Sequence, residues 1–158
     1  MKYNNTVVIM RGISGAGKDT WIKDNIHNAR ICSADLFFMK DGEYMFDVSR
    51  LPQAHSWCMS EFLKAVHDHV PTIVVNNTHI RCWEWENYAR TALVTGYDVE
   101  IVSLICGTVD QVRNCYKRNV HGTPLGIVGA KALEFENVTV SCPQDLVGRI
   151  RSTVIQVR

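Results

Sequence analysis

Short runs of consecutive apolar, largely β-branched residues alternate along the chain with longer segments whose apolar positions fall three and four apart. The runs Thr6–Met10 (TVVIM), Thr72–Val75 (TIVV) and Asp98–Ile105 (DVEIVSLI) have the pattern of strands buried on both faces. Ala29–Ser33 (ARICS) is a further predicted strand. Between Ser49 and His69, apolar residues at Leu51, Ala54, Cys58, Phe62, Ala65 and Val66 predict an amphipathic helix, which Pro71 stops. Helices are also predicted from Asp19 to about Asn28, over Arg81–Thr95 with Gly96 as C-cap, over Val109–Asn119 and over Gly126–Glu134. Turns fall at Lys40-Asp41-Gly42 and at His121-Gly122-Thr123-Pro124. A strand near Val138–Val140 and a helix from Pro143 complete the reading.

This alternation predicts an α/β fold, a parallel sheet with helices on both faces, in one domain over residues 1–158. In such sheets ligands bind beyond the carboxyl ends of the strands. The polar residues just after each strand therefore carry the chemistry.

Composition narrows the function classes. The 158 residues are 46% hydrophobic and 21% charged, which excludes a disordered chain, and the net charge of +1 excludes a polybasic one. The charge is uneven: from Arg113 to Arg158 there are seven basic and three acidic side chains, against ten and thirteen elsewhere. No apolar stretch approaches the roughly 20 residues of a membrane span. The start, with one Lys before a short apolar run closed by Arg11-Gly12, does not read as a signal peptide. Six cysteines without a CxxC pair read as reduced thiols in a cytoplasmic, reducing setting, and no metal-ligand spacing joins them. His67-Asp68-His69 reads as a polar helix end.

The strongest motif follows the first strand. Gly12-Ile13-Ser14-Gly15-Ala16-Gly17-Lys18-Asp19-Thr20 has the spacing of a phosphate-binding loop. Its glycines let backbone N–H groups converge on an anion, and the following helix presents its positive end to the same point. Lys18 adds a full charge at the β- and γ-phosphates. The loop departs from the usual pattern at Asp19, where a Ser or Thr normally contacts Mg²⁺; Thr20 comes one place later. Asp19 is the candidate metal residue, acting directly or through water. The second strand ends in Ser33-Ala34-Asp35, and Asp35 is placed either to accept a proton from an acceptor hydroxyl or to cap a following helix.

An ordered set of segments extends this pattern. GISGAGKDT, SADLFF, Gly42–Phe46, Ala54–Cys58, IVVNNTH, the helix around Trp85–Tyr88 and Arg118–Pro124 together resemble the polynucleotide-kinase-like P-loop kinases. The resemblance runs from Val7 to about Pro124. It implies a P-loop kinase fold with a small Arg-bearing lid, ATP and Mg²⁺ as cofactors, and a nucleic-acid acceptor. That acceptor is either a polynucleotide 5′-hydroxyl or a hydroxymethylated pyrimidine such as 5-hydroxymethyluracil in DNA, the substrate of some phage relatives. It implies that Gly12, Ser14, Gly15, Ala16, Gly17, Lys18, Asp19 and Thr20 hold ATP, that Asp35 activates the acceptor and that Arg118 closes on the transferring phosphate. Arg113, His55, Asn77 and Thr78 are candidate acceptor contacts. After the third strand the family carries Asp-Asn-Thr-Asn, where this chain has Asn76-Asn77-Thr78-His79, so a carboxylate is missing. A small-molecule or nucleotide kinase and a nucleotide-binding module without transfer activity are the other readings. Neither a membrane nor an obligate protein partner is expected.

Overall fold

The computed structural model describes residues 4–158. Strands β1 (Thr6–Arg11), β2 (Arg30–Cys32), β5 (Thr72–Asn76), β6 (Asp98–Ile105) and β7 (Arg151–Gln156) form one sheet in the order β2-β5-β1-β6-β7. Every neighbouring pair is parallel. The central strand β1 has Val8 opposite Val74 of β5 and Glu100 of β6. A small antiparallel hairpin, β3 (Met39–Lys40) and β4 (Glu43–Tyr44), stands apart from the sheet. Its turn residues Asp41 and Gly42 both have positive φ, as a two-residue hairpin turn requires.

Alternation along β1 fills both faces. Val7 and Ile9 point into one core with Phe62, Trp85 and Ala89, whereas Val8 and Met10 point into a second with Ile13, Leu104 and Cys115. The first core is covered by α2 (Leu51–His67) and α3 (Cys82–Val94). The second is covered by α1 (Lys18–Asn25), α4 (Val109–Arg118) and α5 (Leu125–Glu134). Thr108 accepts from Gln111 N to start α4, with the Gln111 side chain returning the bond.

Several sequence expectations are corrected. The β-branched residues Val138–Val140 do not form a strand: Asn137 Oδ1 accepts from Thr139 N and Val140 N and caps a short helix, α6 (Val138–Ser141). The helix after Pro143 is one turn, α7 (Gln144–Val147), and the chain then enters β7 against β6. The helix expected to run to Asn28 ends at Asn25, and Asn28 has a φ of 56°. Arg11, expected to close the first strand, is its last residue and is buried. All six cysteines are free thiols. Among the described residues, no helix is long and apolar enough to cross a membrane.

Candidate active site at the phosphate loop

The loop from Gly12 to Gly17 joins the carboxyl end of β1 to α1. It lies at the crevice where the chain's first crossover leaves β1 on one side and β6 returns on the other. Two of its glycines are obligatory. Gly17, at the N-cap of α1, has a φ of 98°. Gly15 has a φ of 80°, and a Cβ there would overlap the carbonyl oxygen of Cys115 in α4. The loop is thus pressed against the helix that ends in the candidate lid.

Lys18 Nζ donates to Gly12 O at 2.8 Å and Ile13 O at 3.3 Å, so its ammonium is folded back on its own loop. Desolvation lowers its pKa to about 8, with Asp19 and then Asp35 pulling it upward. A phosphate, which carries full negative charge, would compete with these neutral carbonyls for the ammonium.

A cavity of about 430 Å³ opens over the loop, and its lining includes Lys18, Asp19, Asp35, Asn77, Arg118 and His121. The structure therefore brings Ser14, Gly15, Gly17, Lys18, Asp19, Thr20, Asp35, Thr78 and Arg118, all singled out in the sequence, around one space. Gly12 and Ala16, also in the loop, are buried.

Asp35 is the second residue of a short 3₁₀ turn, Ala34–Phe38, just beyond β2. Ser33 Oγ accepts from Asp35 N at 3.3 Å, so Ser33 is the cap and the Asp35 carboxylate is free to face the cavity. Tyr44 of the hairpin donates its hydroxyl to Asp35 Oδ1 at 3.2 Å. His121 Nε2 lies 3.5 Å from Asp35 Oδ2. The Tyr44 and His121 rings are 4.3 Å apart. Burial, and then the charge of Asp35, push the Tyr44 hydroxyl up to about 12. Neither ring was singled out as a partner of Asp35 from the sequence: Tyr44 sits among several aromatics and His121 inside an apparent turn. Only the fold shows that they converge.

Arg118 ends α4 and packs against the loop. Its Nε donates to Gly15 O at 3.2 Å and its Nη1 to Arg158 O at 2.7 Å. Asn119 accepts from Thr123 N at 2.9 Å and donates to Thr123 O at 3.2 Å, closing the 119–123 segment on itself. The Thr123 hydroxyl reaches Ser14 Oγ at 3.4 Å. The segment after α4 is thus tied to the phosphate loop.

Arg113 is not part of this arrangement. It pairs with Asp110 at 3.5 Å on the outer face of α4 and lines a separate, mostly apolar cavity. His55 lies in a neighbouring cavity of about 330 Å³ with Trp83 and Asn87, and Asn77 borders both spaces. Asn77 accepts from Ala34 N at 2.8 Å, tying the end of β5 to the segment that carries Asp35. His79 is buried; its Nδ1 meets Met10 O at 2.8 Å and its Nε2 lies 3.4 Å from Asn77 Nδ2. These contacts assign the proton to Nδ1 and make Nε2 the acceptor. Desolvation lowers the His79 pKa to about 3.

Arg11, which the sequence marks only as the end of the first apolar run, braces the floor. It donates to His79 O, Ile80 O, Glu136 O and Ser103 Oγ at 2.7–3.1 Å. One buried guanidinium thereby joins the strand before the loop to the segments after β5 and α5, and its charge is spread over carbonyl dipoles and the Phe135 ring 4.4 Å away.

For comparison with known proteins, no family model matches the chain. A curated relative, human NEDD4-binding protein 2, is 29% identical over 120 residues, which cover 73% of this chain and 7% of that protein. Among solved structures, the AvrRxo1-ORF1:AvrRxo1-ORF2 complex with sulphate ions matches 98% of the chain at a TM-score of 0.69 and 14% identity. The same complex with ATP matches at 0.64 and 16% identity. The chain spans 55% of the matched AvrRxo1 chain in the sulphate structure. The Pnkp1/Rnl/Hen1 RNA repair complex matches 85% of the chain at 0.65 and 15% identity, over 45% of its own chain. A sugar kinase from Janibacter sp. HTCC2649 matches 96% at 0.59 and 20% identity, over 85% of its own chain. The five-stranded parallel sheet, its flanking helices and its phosphate loop have the fold shared by the P-loop kinases.

Proposed function

We propose that the protein is an ATP-dependent kinase that transfers the γ-phosphate to a hydroxyl of a nucleic-acid substrate. The observation that carries this reading is that Lys18, after β1, and Asp35, after β2, face one cavity at the carboxyl end of the sheet, with Arg118 also in its lining. Phosphoryl transfer is chiefly positioning and charge stabilisation. The loop N–H groups and Lys18 would cradle the triphosphate, Asp35 would orient the acceptor hydroxyl and take its proton, and Arg118 would stabilise charge on the transferring group. Transfer is direct, without a covalent enzyme intermediate. ATP as donor is supported by the likeness to a P-loop structure solved with ATP.

Mg²⁺, when bound, neutralises charge on the β- and γ-phosphates. The residues fit it: Asp19 supplies a carboxylate at the cavity wall, and Asn76 Oδ1 is a buried oxygen without a hydrogen-bond partner.

A nucleic-acid acceptor is supported by the aromatic surroundings of Asp35 and by the likeness to an RNA repair complex. Tyr44 and Phe46 lie with planes 15° apart, Arg50 stacks on Phe37 at 4.7 Å, and Trp83 in the neighbouring cavity is 70% exposed. Such faces stack bases at about 1–3 kcal/mol each. The acceptor hydroxyl is that of a polynucleotide 5′ end or of a hydroxymethylated pyrimidine such as 5-hydroxymethyluracil in DNA. A small polyhydroxylated acceptor is the second reading, favoured by the compact His55–Asn77 cavity and the likeness to a sugar kinase.

Competition for label transfer distinguishes the two. Inhibition by single-stranded oligonucleotides that weakens steeply with salt supports the polymer. Transfer to nucleosides or sugars alone, insensitive to oligonucleotide, contradicts it.

A further inference from the structure

In nucleotide-binding phosphate loops, Mg²⁺ is commonly held by a hydroxyl from the residue after the loop lysine and by a carboxylate from a strand end. Here the two kinds of group have changed places. Residue 19, directly after Lys18, is the carboxylate. Residue 76, the last of β5 and the neighbour of Met10 in β1, is the neutral amide.

The two side chains touch. Asn76 Nδ2 donates to Asp19 Oδ1 at 2.7 Å across 57 residues of sequence. The amide orientation follows from that bond, because the reverse would set the amide oxygen against a carboxylate oxygen. It leaves Asn76 Oδ1 buried and without a hydrogen-bond partner. Buried acceptors in folded proteins are almost always satisfied, so an orphan at the edge of a polar cavity calls for a cation or a water. Asp19, Thr20 and Asn76 all line the cavity that Lys18 faces.

From this contact, resting on the nucleotide-binding reading above, we infer that the magnesium position of this protein is charge-inverted: Asp19 supplies its one carboxylate and Asn76 its neutral oxygen. The charge at the position is the same as for a hydroxyl with a strand-end carboxylate; only its place in the sequence has moved. The set suits Mg²⁺, which takes oxygen ligands from one or two carboxylates and completes its shell with phosphates and water. Among the described residues, no three His, Cys, Asp or Glu side chains cluster to form a metal cage independent of substrate.

The inversion predicts reciprocal rescue. Mn²⁺ serves as the probe, its binding read by electron paramagnetic resonance in the presence of ATP. Metal-free ATP binding is measured separately by calorimetry, and folding by thermal melts. The proteins are the wild type, the isosteric Asp19→Asn, Asp19→Ser, Asn76→Asp and the double exchange Asp19→Ser/Asn76→Asp. We expect Asp19→Asn and Asp19→Ser to weaken Mn²⁺ by about tenfold or more, since even outer-shell changes cost that much. Metal-free ATP binding must persist in these variants, and it is expected to be no weaker than in wild type, because a negative charge beside the phosphates has been removed. The double exchange is expected to recover Mn²⁺ binding to within about threefold of wild type. Unchanged Mn²⁺ affinity in the folded Asp19→Asn protein overturns the inference, as does a double exchange no better than Asp19→Ser. A wild-type protein that binds no ATP, with or without metal, overturns the nucleotide-binding reading and the inference together. Normal ATP binding with no rescue overturns the inversion alone.

Discussion

Tyr44 and Asp35 reach one another from different elements, the hairpin and the turn after β2, and the Tyr44 hydroxyl donates to Asp35 Oδ1 at 3.2 Å. His121, in the segment after α4, stands 3.5 Å from the other oxygen, and its ring packs against the same Tyr44 ring at a tilt of 41°. The proposed proton acceptor is therefore oriented from both sides, and one of those sides is the segment after α4. A carboxylate held this way meets an incoming hydroxyl in a fixed direction, which is what positioning for transfer requires.

Removing the phenol donor tests that orientation. Tyr44→Phe keeps the ring against His121 and loses one hydrogen bond, a change of about 0.5–1.5 kcal/mol. The expected result is a kcat lowered by about two- to tenfold with the KM for ATP unchanged, measured in steady state. His121→Ala should lower kcat and also loosen the lid, raising the KM for ATP. Equal rates for Tyr44→Phe and wild type would remove the role.

Gly15→Ala probes the loop itself. The new methyl would meet the Cys115 carbonyl in a backbone conformation that favours glycine. Strain of about 1–3 kcal/mol is expected, visible as a lower melting temperature. ATP affinity should fall with it, because the loop can relieve the clash only by moving away from α4.

The buried His79 gives a pH dependence with a definite sign. Its folded pKa, about 3, lies below the ordinary value of 6.5 because burial disfavours the cation. Above 6.5 both folded and unfolded states are neutral there, and the native hydrogen bonds are fully present. As pH falls below 6.5 the unfolded state takes up a proton that the folded state refuses until about 3, so stability drops through that window. The limiting slope is about 1.4 kcal/mol per pH unit. Urea unfolding at pH 7.5, 6 and 5 should show this loss, and a folded His79→Gln protein should show a shallower one.

Arg118 and Arg113 are five residues apart on α4 and stand in different surroundings. Arg118→Ala should lower kcat/KM by about 10²-fold, the usual order for a charge-stabilising group. Arg113→Ala, removing only an exposed pair with Asp110, should change activity and stability by less than about twofold and about 0.5 kcal/mol. Comparable losses in both would contradict the assignment of Arg118.

Much of this arrangement was legible in the chain itself, and the exceptions have physical causes. The buried strands could be read because parallel sheets covered on both faces demand near-continuous apolar runs, as in Val7–Met10 and Ile73–Val75. The phosphate loop could be read because its glycines answer a backbone requirement fixed by local spacing. The edge strand β7 escaped because little of it packs on either face: Arg151–Val154 are all exposed, so its apolar pattern is thin. Val138–Val140 misled because the cap at Asn137 outweighs β-propensity over so short a segment. Arg11 and His121 act through partners more than sixty residues away, and no local pattern carries that information.

The account stands most directly on Asp35. The measurement is transfer of label from γ-labelled ATP with Mg²⁺ to 5′-hydroxyl DNA and RNA, to DNA containing 5-hydroxymethyluracil and to a nucleoside pool. Wild type and Asp35→Asn are compared, with ATP affinity measured in parallel. The predicted result is label on a nucleic-acid hydroxyl with wild type, its loss in Asp35→Asn, and ATP affinity within about twofold, the removed group touching acceptor rather than nucleotide. Undiminished transfer by Asp35→Asn, or wild-type binding of ATP with no transfer to any acceptor, would contradict it.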